Sequence, residues 1–456
     1  MSAPPPKKPR PPLPEGPFLV VGLARSGAAA ARFLAARGED VRGVDSGHPE
    51  GAAGLAGEGV EVVLDTDGLA LLDGTRTVVK SPGVPREALV IAAALERGID
   101  VVGELELAWR AIPNRFLAVT GTNGKTTVAE LLGHVYRSAG EPVAVAGNVG
   151  TPLASLAGEV EPDATVVCEA SSFQLEDSVA FAPECAVFLN LAPDHLDRHA
   201  DLDSYLAAKL RVFANQGNDD VAVYNADEPA LAGVDLGGCA RRISFCVGAA
   251  PDCSVSLAEG TIFYEGEPLL PVSDLGLFGA HNVANAMAAA AAALAMGIEP
   301  DAVRDGLRSF AGVPHRLEQV AEIDGVRFVN DSKATNVASA TVGLRAFDGG
   351  VHAILGGSEK GEDFAPLADP VRESCAAVYL IGASAERLAE ALAPVIEAGV
   401  ELHRCEDLED AVRRAATAAG GGEVVLLSPA CASFDAFENF EQRGDRFREI
   451  VGGLGS

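Results

Sequence analysis

Short apolar runs bounded by glycine or proline turns alternate with helical patterns through almost all of the 456-residue chain, and this alternation limits the fold more than any other feature. Apolar runs of strand length, each followed by a helical period, predict strand–helix units that pair their strands in parallel and cover the sheet with helices. Three such blocks separate. The first opens with 18-FLVVGLARSG-27, predicts a helix over about 28–37 stopped at Gly38, adds strands at 40–45 and 77–80, breaks at 81-SPGVP-85 and ends near Glu104. The second begins with 115-RFLAVTG-121, carries strands at 164–169, 186–191 and 221–225, and closes with the helix after 281-HNVAN-285. The third opens at 312-GVPHRLEQV-320, predicts a hairpin turning at Asp324-Gly325, and continues with strands at 352–357, 377–382 and 424–429. The expectation is an α/β chain of three parallel-sheet domains, over 17–105, 106–312 and 313–456.

Composition narrows the partners. Lys+Arg 35 against Asp+Glu 65 leaves a net charge of −30, which opposes binding to a nucleic-acid backbone or an anionic membrane surface. A phosphorylated ligand therefore has to be met by local cations and aimed backbone N–H groups. The eight cysteines (168, 185, 239, 246, 253, 375, 405 and 431) form no CxxC pair and read as buried thiols of a reducing, cytoplasmic setting. Residues 1–16, MSAPPPKKPRPPLPEG, are proline-rich, lack the apolar stretch of a signal peptide and are expected to be a disordered tail. The run 286-AMAAAAAALAM-296 is too short to span a bilayer and reads as a buried helix.

The stretch 117-LAVTGTNGKTTVAELL-132 reads as strand, glycine turn and helix. The usual phosphate loop has Gly five residues before the Gly that precedes Lys, and Val119 stands there. Gly121 and Gly124 still permit a turn that cradles an anion at a helix N-terminus, with Lys125 reaching the β and γ phosphates and the Thr126 hydroxyl placed for Mg²⁺. In the first block GLARSG lacks the second glycine of the dinucleotide fingerprint, although Asp45 ends the next strand where a carboxylate meets a ribose or base. A dinucleotide site, a related nucleotide site and a structural turn all fit that segment.

Glu169 ends an apolar strand, at the sheet edge where open α/β folds bind ligands, and a carboxylate beside a phosphate loop suits Mg²⁺. After the strand at 186–191, His195 and His199 crowd together with Asp194 and Asp197; without HExxH or a cysteine partner, zinc fits poorly. Lys209 lies on a helical stretch, where a solvated lysine is the ordinary reading. The run 328-FVNDSKATNVAS-339 places small polar groups and one cation between a strand and a helix, as nucleotide contacts require, and 427-LSPACASFDAFENFEQRG-444 repeats the arrangement.

These segments together resemble the Mur ligase family, the ATP-dependent amide-forming ligases of peptidoglycan precursor synthesis. The carriers are GTNGKTT, GNVGTP, EASSFQLE, LNLAPDHLDRH, YLAAKLRVF, HNVANA, GVPHRLE, NDSKATN, GGSEKGEDF and SPACASFDAFENFEQRG, from about Phe18 to the C-terminus. Val119 is that family's own spelling of the loop. SSFQLE, NDSKATN and SPACAS point to its D-glutamate-adding branch. The resemblance implies a Rossmann-like N-terminal domain binding a UDP substrate, a central P-loop ATPase-type domain and a Rossmann-like C-terminal domain, in a cytoplasmic monomer whose substrates are UDP-N-acetylmuramoyl-L-alanine and D-glutamate.

Carried over by position, the resemblance implies that Gly121, Thr122, Asn123, Gly124, Lys125, Thr126 and Thr127 hold the ATP phosphates, with Asn285, Arg316 and Asp331 on the rest of the nucleotide. Two Mg²⁺ ions would be held by Thr126, Glu169, His195 and Lys209, the last as a carbamate. Lys125, His195, Lys209 and Lys333 would be catalytic. Arg25, Ser26, Asp45, Gly83, Asn148 and Ser171 would line the UDP substrate, and Lys333, Thr335, Lys360, Ser433 and Phe440 the D-glutamate. Ser46-Gly47 stands where some relatives have Thr-Arg, which leaves Arg25 as the nearby cation.

Other readings weighed are a Mur ligase adding a different amino acid, a nucleotide-dependent dehydrogenase resting on GLARSG, and a non-catalytic nucleotide-binding regulator. The dehydrogenase leaves everything from GTNGKTT onward unexplained. Because nucleotide contacts are expected in both GTNGKTT and NDSKATN, the C-terminal domain is predicted to swing in on ATP binding. Small-angle scattering with nucleotide and substrate should then differ from that of the free chain; superimposable profiles would refute the movement.

Overall fold

The computed structural model describes residues 4–195, 198–248, 253–277, 279–358, 361, 363–396 and 399–454, and the chain divides into two compact units, Met1–Phe310 and Ala311–Ser456. The first unit holds two sheets. Strands Phe18–Val21 (β1), Val41–Val44 (β2), Glu61–Val63 (β3), Thr77–Lys80 (β4) and Asp100–Gly103 (β5) pair in parallel in the order β3-β2-β1-β4-β5. The order reverses beside β1, which makes the crevice above its carboxyl end the expected ligand position. The helix after β1 spans Arg25–Ala36 (α1), starting three residues before the predicted point because Arg25, Ser26 and Gly27 all enter the first turn.

The larger sheet runs β14-β13-β12-β11-β10-β9-β6-β8-β7. Its strands are Phe116–Thr120 (β6), Val143–Gly147 (β7), Thr165–Glu169 (β8), Cys185–Phe188 (β9), Val221–Asn225 (β10), Arg241–Cys246 (β11), Val255–Ala258 (β12), Thr261–Tyr264 (β13) and Glu267–Pro271 (β14). β6 through β12 are parallel, and β12, β13 and β14 form an antiparallel ribbon that the sequence reading did not anticipate. Its strands are only four or five residues long, so periodicity alone carries little signal. The alanine run lies in the helix Ala280–Ala295, where Ala286 and Ala288 through Ala293 are fully buried; a helix apolar on every side belongs in a core. Among the described residues no helix is long and apolar enough to cross a membrane.

The helix Glu104–Ala111 joins the two sheets, and one apolar cluster runs from Phe18 and Val20 through Leu105 and Trp109 to Phe116 and Phe181. Residues 4–16 of the segment expected to be a disordered tail are instead laid along the foot of the larger sheet, where Arg10 pairs with the buried Glu184 at 3.0 Å and Lys8 with Asp220 at 2.7 Å. Acidic partners distant in sequence hold it, and its composition gave no sign of them. The cysteine expectation is also corrected. Cys246 and Cys253 form a disulfide, Cys239 is exposed, and Cys168, Cys185 and Cys431 are the buried thiols.

The second unit has the order β15-β16-β20-β17-β18-β19, with strands Glu318–Ile323 (β15), Val326–Asn330 (β16), Val351–Gly356 (β17), Cys375–Ile381 (β18), Glu401–Arg404 (β19) and Val424–Leu427 (β20). β15 and β16 form the predicted antiparallel hairpin, and Asp324 and Gly325 both take positive φ (52° and 79°), as a two-residue hairpin turn requires. The other strands are parallel, with an apolar cluster on each face of the sheet.

Glu104 begins the joining helix fully buried. Its Oε1 accepts from Ala154 N at 2.6 Å, its Oε2 has no hydrogen-bond partner among the described residues, and burial pushes its carboxyl up to about 7. An acid raised above its unfolded value binds its proton in the folded state, so the stability it contributes is full below pH 4.5 and is lost as pH rises through about 7. Glu104→Gln should therefore raise Tm at pH 8 and leave it near the parent value at pH 4.5. An equal shift at both pH values would refute the assignment.

Candidate functional site

β6 ends at Thr120, and the chain turns through Gly121–Gly124 into the helix Lys125–Ser138. Gly124 (φ 83°) passes so close to the Asn285 side chain that a Cβ there would fall 2.4 Å from Oδ1, which only glycine allows. Asn190, just beyond β9, clamps the turn. Its carbonyl accepts from Thr122 N (2.9 Å), its Oδ1 from Asn123 N (2.8 Å), and its Nδ2 donates to Asn123 O (3.1 Å). The Thr122 hydroxyl accepts from Ala192 N at 3.0 Å. Helix geometry aims the first-turn amides of 124–127 out of the helix N-terminus, and Lys125 folds its ammonium back onto Gly121 O (3.0 Å) and Thr122 O (2.8 Å). The outcome is a rigid concave turn with donors and a cation, suited to a polyphosphate.

Glu169 ends β8 next to β6 and is 3% exposed. Its Oε2 accepts from the Thr126 hydroxyl at 2.8 Å and its Oε1 from Asn148 Nδ2 at 3.1 Å. Gly147, opposite Glu169 in the register, brings the 148–151 turn against it; a Cβ there would meet Glu169 O at 2.2 Å. Neighbouring oxygens on an octahedral Mg²⁺ lie about 2.9 Å apart. The separation of the Thr126 and Glu169 oxygens fits that requirement without rearrangement.

Lys209, on the helix Leu202–Ala214, is 1% exposed rather than solvated, donates to Gly121 O at 2.7 Å and lies 4.3 Å from the Tyr205 ring centroid. Burial, and then the charge of Lys125, push its amine down to about 7. His195 is exposed, with φ 54°, and its Nε2 lies 3.5 Å from Asp194 Oδ2. The Tyr205 ring borders it edge-on at 6.3 Å, so Tyr205 touches both sequence-picked residues. His199 is buried, meets the Ser172 hydroxyl at 3.0 Å and stacks on Phe173. Asp197 lies outside the described residues.

In the N-terminal sheet, Asp45 accepts from Leu23 N (2.7 Å) and Gly47 N (2.9 Å), so its carboxylate fixes the GLARSG turn and its own. Arg25, on the first turn of α1 beside Ser26, reaches Gly150 O at 2.6 Å. Gly83 is exposed, with its carbonyl 3.4 Å from the Arg198 guanidinium. Ser171 serves the helix that follows it, capping Ser172–Glu176 reciprocally with Gln174. Sequence reasoning missed the fully buried Lys80, which donates to Val84 O at 2.8 Å and pairs with Asp177 at 2.7 Å. This pair ties the 81-SPGVP-85 turn to the C-terminal end of the helix Ser172–Glu176.

In the second unit, Asp331 accepts from the Ser428 hydroxyl (2.7 Å) and Leu317 N (3.2 Å), and burial pushes its carboxyl up to about 7. Arg316 is among the charges that act on it. Lys333 lies 5.9 Å from the Phe440 ring centroid, Thr335 is half-buried two residues on, and Ser433 is buried. Lys360 lies outside the described residues. The residue that gathers these loops is Arg443, which sequence reasoning passed over. Fully buried, it donates to Ser332 Oγ (3.0 Å), Ser332 O (2.9 Å), Cys431 O (3.1 Å) and Ala432 O (3.2 Å). Its place in 439-NFEQRG-444 was visible, but nothing local says that it points inward.

With this geometry in place, the similarities are direct. The Mur ligase middle domain matches residues 119–293, the Mur ligase glutamate ligase domain 315–431, and the MurD-like N-terminal domain of Mur ligases 17–103. The chain belongs to the Mur ligase family. A protein of Pelotomaculum thermopropionicum is 43% identical over 441 residues, 95% of this chain and 96% of its own, and one of Acidobacterium capsulatum is 42% identical over 446 residues, 95% of each. Both are named UDP-N-acetylmuramoylalanine--D-glutamate ligase. Among solved structures, UDP-N-acetylmuramate-alanine ligase from Thermotoga maritima shares the fold, with TM-score 0.57 and 19% identity over 96% of this chain and 99% of that one.

Proposed function

We propose that this chain joins the amine of D-glutamate to the terminal carboxylate of UDP-N-acetylmuramoyl-L-alanine, with ATP converted to ADP and phosphate, in peptidoglycan precursor synthesis. The observation that carries the reading is the meeting of the 121–127 turn with Glu169 and Lys209, in a chain about 42% identical to D-glutamate ligases over nearly its whole length. A carboxylate is a poor acyl donor because oxide would have to leave; phosphorylated by ATP, it can be attacked with loss of phosphate. Bringing a triphosphate to a carboxylate sets anion against anion, so the site has to supply positive charge.

Lys125 and the outward amides of 124–127 hold the phosphates, and Asn190 keeps the turn from opening. Thr126 and Glu169 would hold one Mg²⁺, with His195 and carbamylated Lys209 as ligands of a second. Bound magnesium supplies cationic charge against the transferring phosphoryl group. Lys209 fits carbamate formation because burial pushes its amine down to about 7, toward the neutral form, and only the neutral amine attacks CO₂. Asn285 closes the turn from the side, where the base of the nucleotide is expected. Arg25, Asp45 and Gly83 shape the uridine diphosphate subsite, and Lys333, Thr335, Ser433 and Phe440 the amino-acid subsite. A base has to take a proton from the incoming ammonium, and the candidates are the carboxylates near His195 and His195 itself, for which metal binding and the base role compete.

Single-turnover ADP release with UDP-N-acetylmuramoyl-L-alanine should yield the new amide only when D-glutamate is added, and not with L-alanine, L-lysine or diaminopimelate. Amide formation with another amino acid in place of D-glutamate would replace the reading with that of a sister ligase. Lys209→Ala should abolish ligation, and a short-chain carboxylic acid should restore part of it by supplying the missing oxygens. Full activity in the alanine variant would eliminate the carbamate.

A further inference from the structure

Residues 4–16 lie along the foot of the larger sheet, at the end of its strands opposite the phosphate loop. Glu184 precedes β9 and Asp220 precedes β10, and their side chains are 0% and 2% exposed. Both carboxylates receive their cation from this segment. Arg10 binds Glu184 at 3.0 and 3.3 Å, donates to Asn114 O at 2.5 Å and lies 4.5 Å from the Trp109 ring centroid. Lys8 binds Asp220 at 2.7 Å, and Lys7 donates to Pro162 O at 2.6 Å. In return, Arg115 donates to Pro5 O at 2.7 Å and Arg110 to Pro12 O at 2.9 Å.

The far end of the segment belongs to the other sheet. The Glu15 carboxylate pairs with Arg76 at 2.5 Å, its carbonyl accepts from the Thr77 hydroxyl at 2.9 Å, and Pro17 O accepts from Arg76 N at 3.0 Å. The chain therefore crosses between the two sheets twice, here and again through Glu104–Ala111. One crossing leaves a hinge; two separated crossings remove it. The prolines at 4, 5, 6, 9, 11, 12 and 14 fix φ along the run, so little backbone freedom is lost when it is laid down.

We propose that residues 4–16 are a brace: a basic, proline-stiffened strap that neutralises the buried acids under the central sheet and thereby fixes the 17–105 domain in the orientation that receives the nucleotide-sugar substrate. The substrate part rests on the function proposed above; the brace itself does not. Two full-length proteins test it: Arg10→Ala, and a chain with a protease site inserted between Leu13 and Pro14 and cut after purification. Hydrogen–deuterium exchange should accelerate in both at 76–77 and at Phe116, whose amide donates to Glu184 Oε2 at 2.8 Å, and KM for UDP-N-acetylmuramoyl-L-alanine should rise roughly tenfold with kcat little changed. Should Arg10→Ala fail to fold, the cut chain gives the same readouts. A lowered Tm with exchange at 76–77 and KM both unchanged would show a groove filler and overturn the brace, as would no change at all. If the parent protein forms no amide, the functional reading fails, and exchange at 76–77 still decides the brace.

Discussion

The parallel register that seats β6 between β8 and β9 is the constraint on which the rest depends. Val119 lies opposite Glu169 and Thr120 opposite Phe188, so three neighbouring strands finish at one level and release the phosphate turn, the carboxylate and the Asn190 clamp side by side. Side chains alternate between faces along a strand, so a slip of one residue would turn Glu169 away from Thr126. No helix or loop would need to unfold for the site to vanish. The fully buried Leu117, Ala118, Val166 and Val167 guard against that slip, since each would have to leave its place in the core.

The two ends of this sheet solve opposite electrostatic problems. At the carboxyl ends, two lysines crowd the carbonyl of Gly121, and burial beside Lys125 drives the Lys209 amine toward its neutral form. At the amino ends two carboxylates are buried, and the basic segment 4–16 supplies their counter-charges. Removing one partner of such a pair typically costs about 3–5 kcal/mol, because the other charge stays buried without compensation. A net charge of −30 says nothing about either end, since both depend on a handful of groups placed within 3 Å of one another.

What the sequence disclosed, and what it did not, follows from the range of the interactions. The loop 120–127, Glu169 at its strand end and the hairpin at Asp324-Gly325 are local patterns, and strand, turn and helix are adjacent in the chain. Lys209 was legible only through resemblance, because a lysine in a helical run gives no sign of its burial. Asn190, Arg443 and the Lys80–Asp177 pair act across long separations, and Arg443 reaches Ser332 over 111 residues. The same holds for the segment 4–16, whose partners lie up to 212 residues away. Composition described it as a chain without a core, which is correct for the segment alone and wrong once acidic groups elsewhere are folded into place.

Buried charge also explains how exposed loops keep their positions. Replacing a buried ion pair by apolar side chains is often neutral or stabilising, so Lys80 and Asp177 are poorly accounted for by stability alone. Lys80 gives one donor to Val84 O and meets Asp177 at the C-terminal end of the helix Ser172–Glu176, so a single side chain fixes both the height of the 81–85 turn and its distance from that helix. An apolar residue would fill the space but leave the turn free to move over it. Arg443 applies the same logic in the second unit: its donors bind carbonyls and a hydroxyl of two loops, and the loops are spaced by the width of one guanidinium. The polar core residues of this chain therefore act as spacers whose length is chemically set, which is how loops of glycine, serine and alanine hold a constant shape.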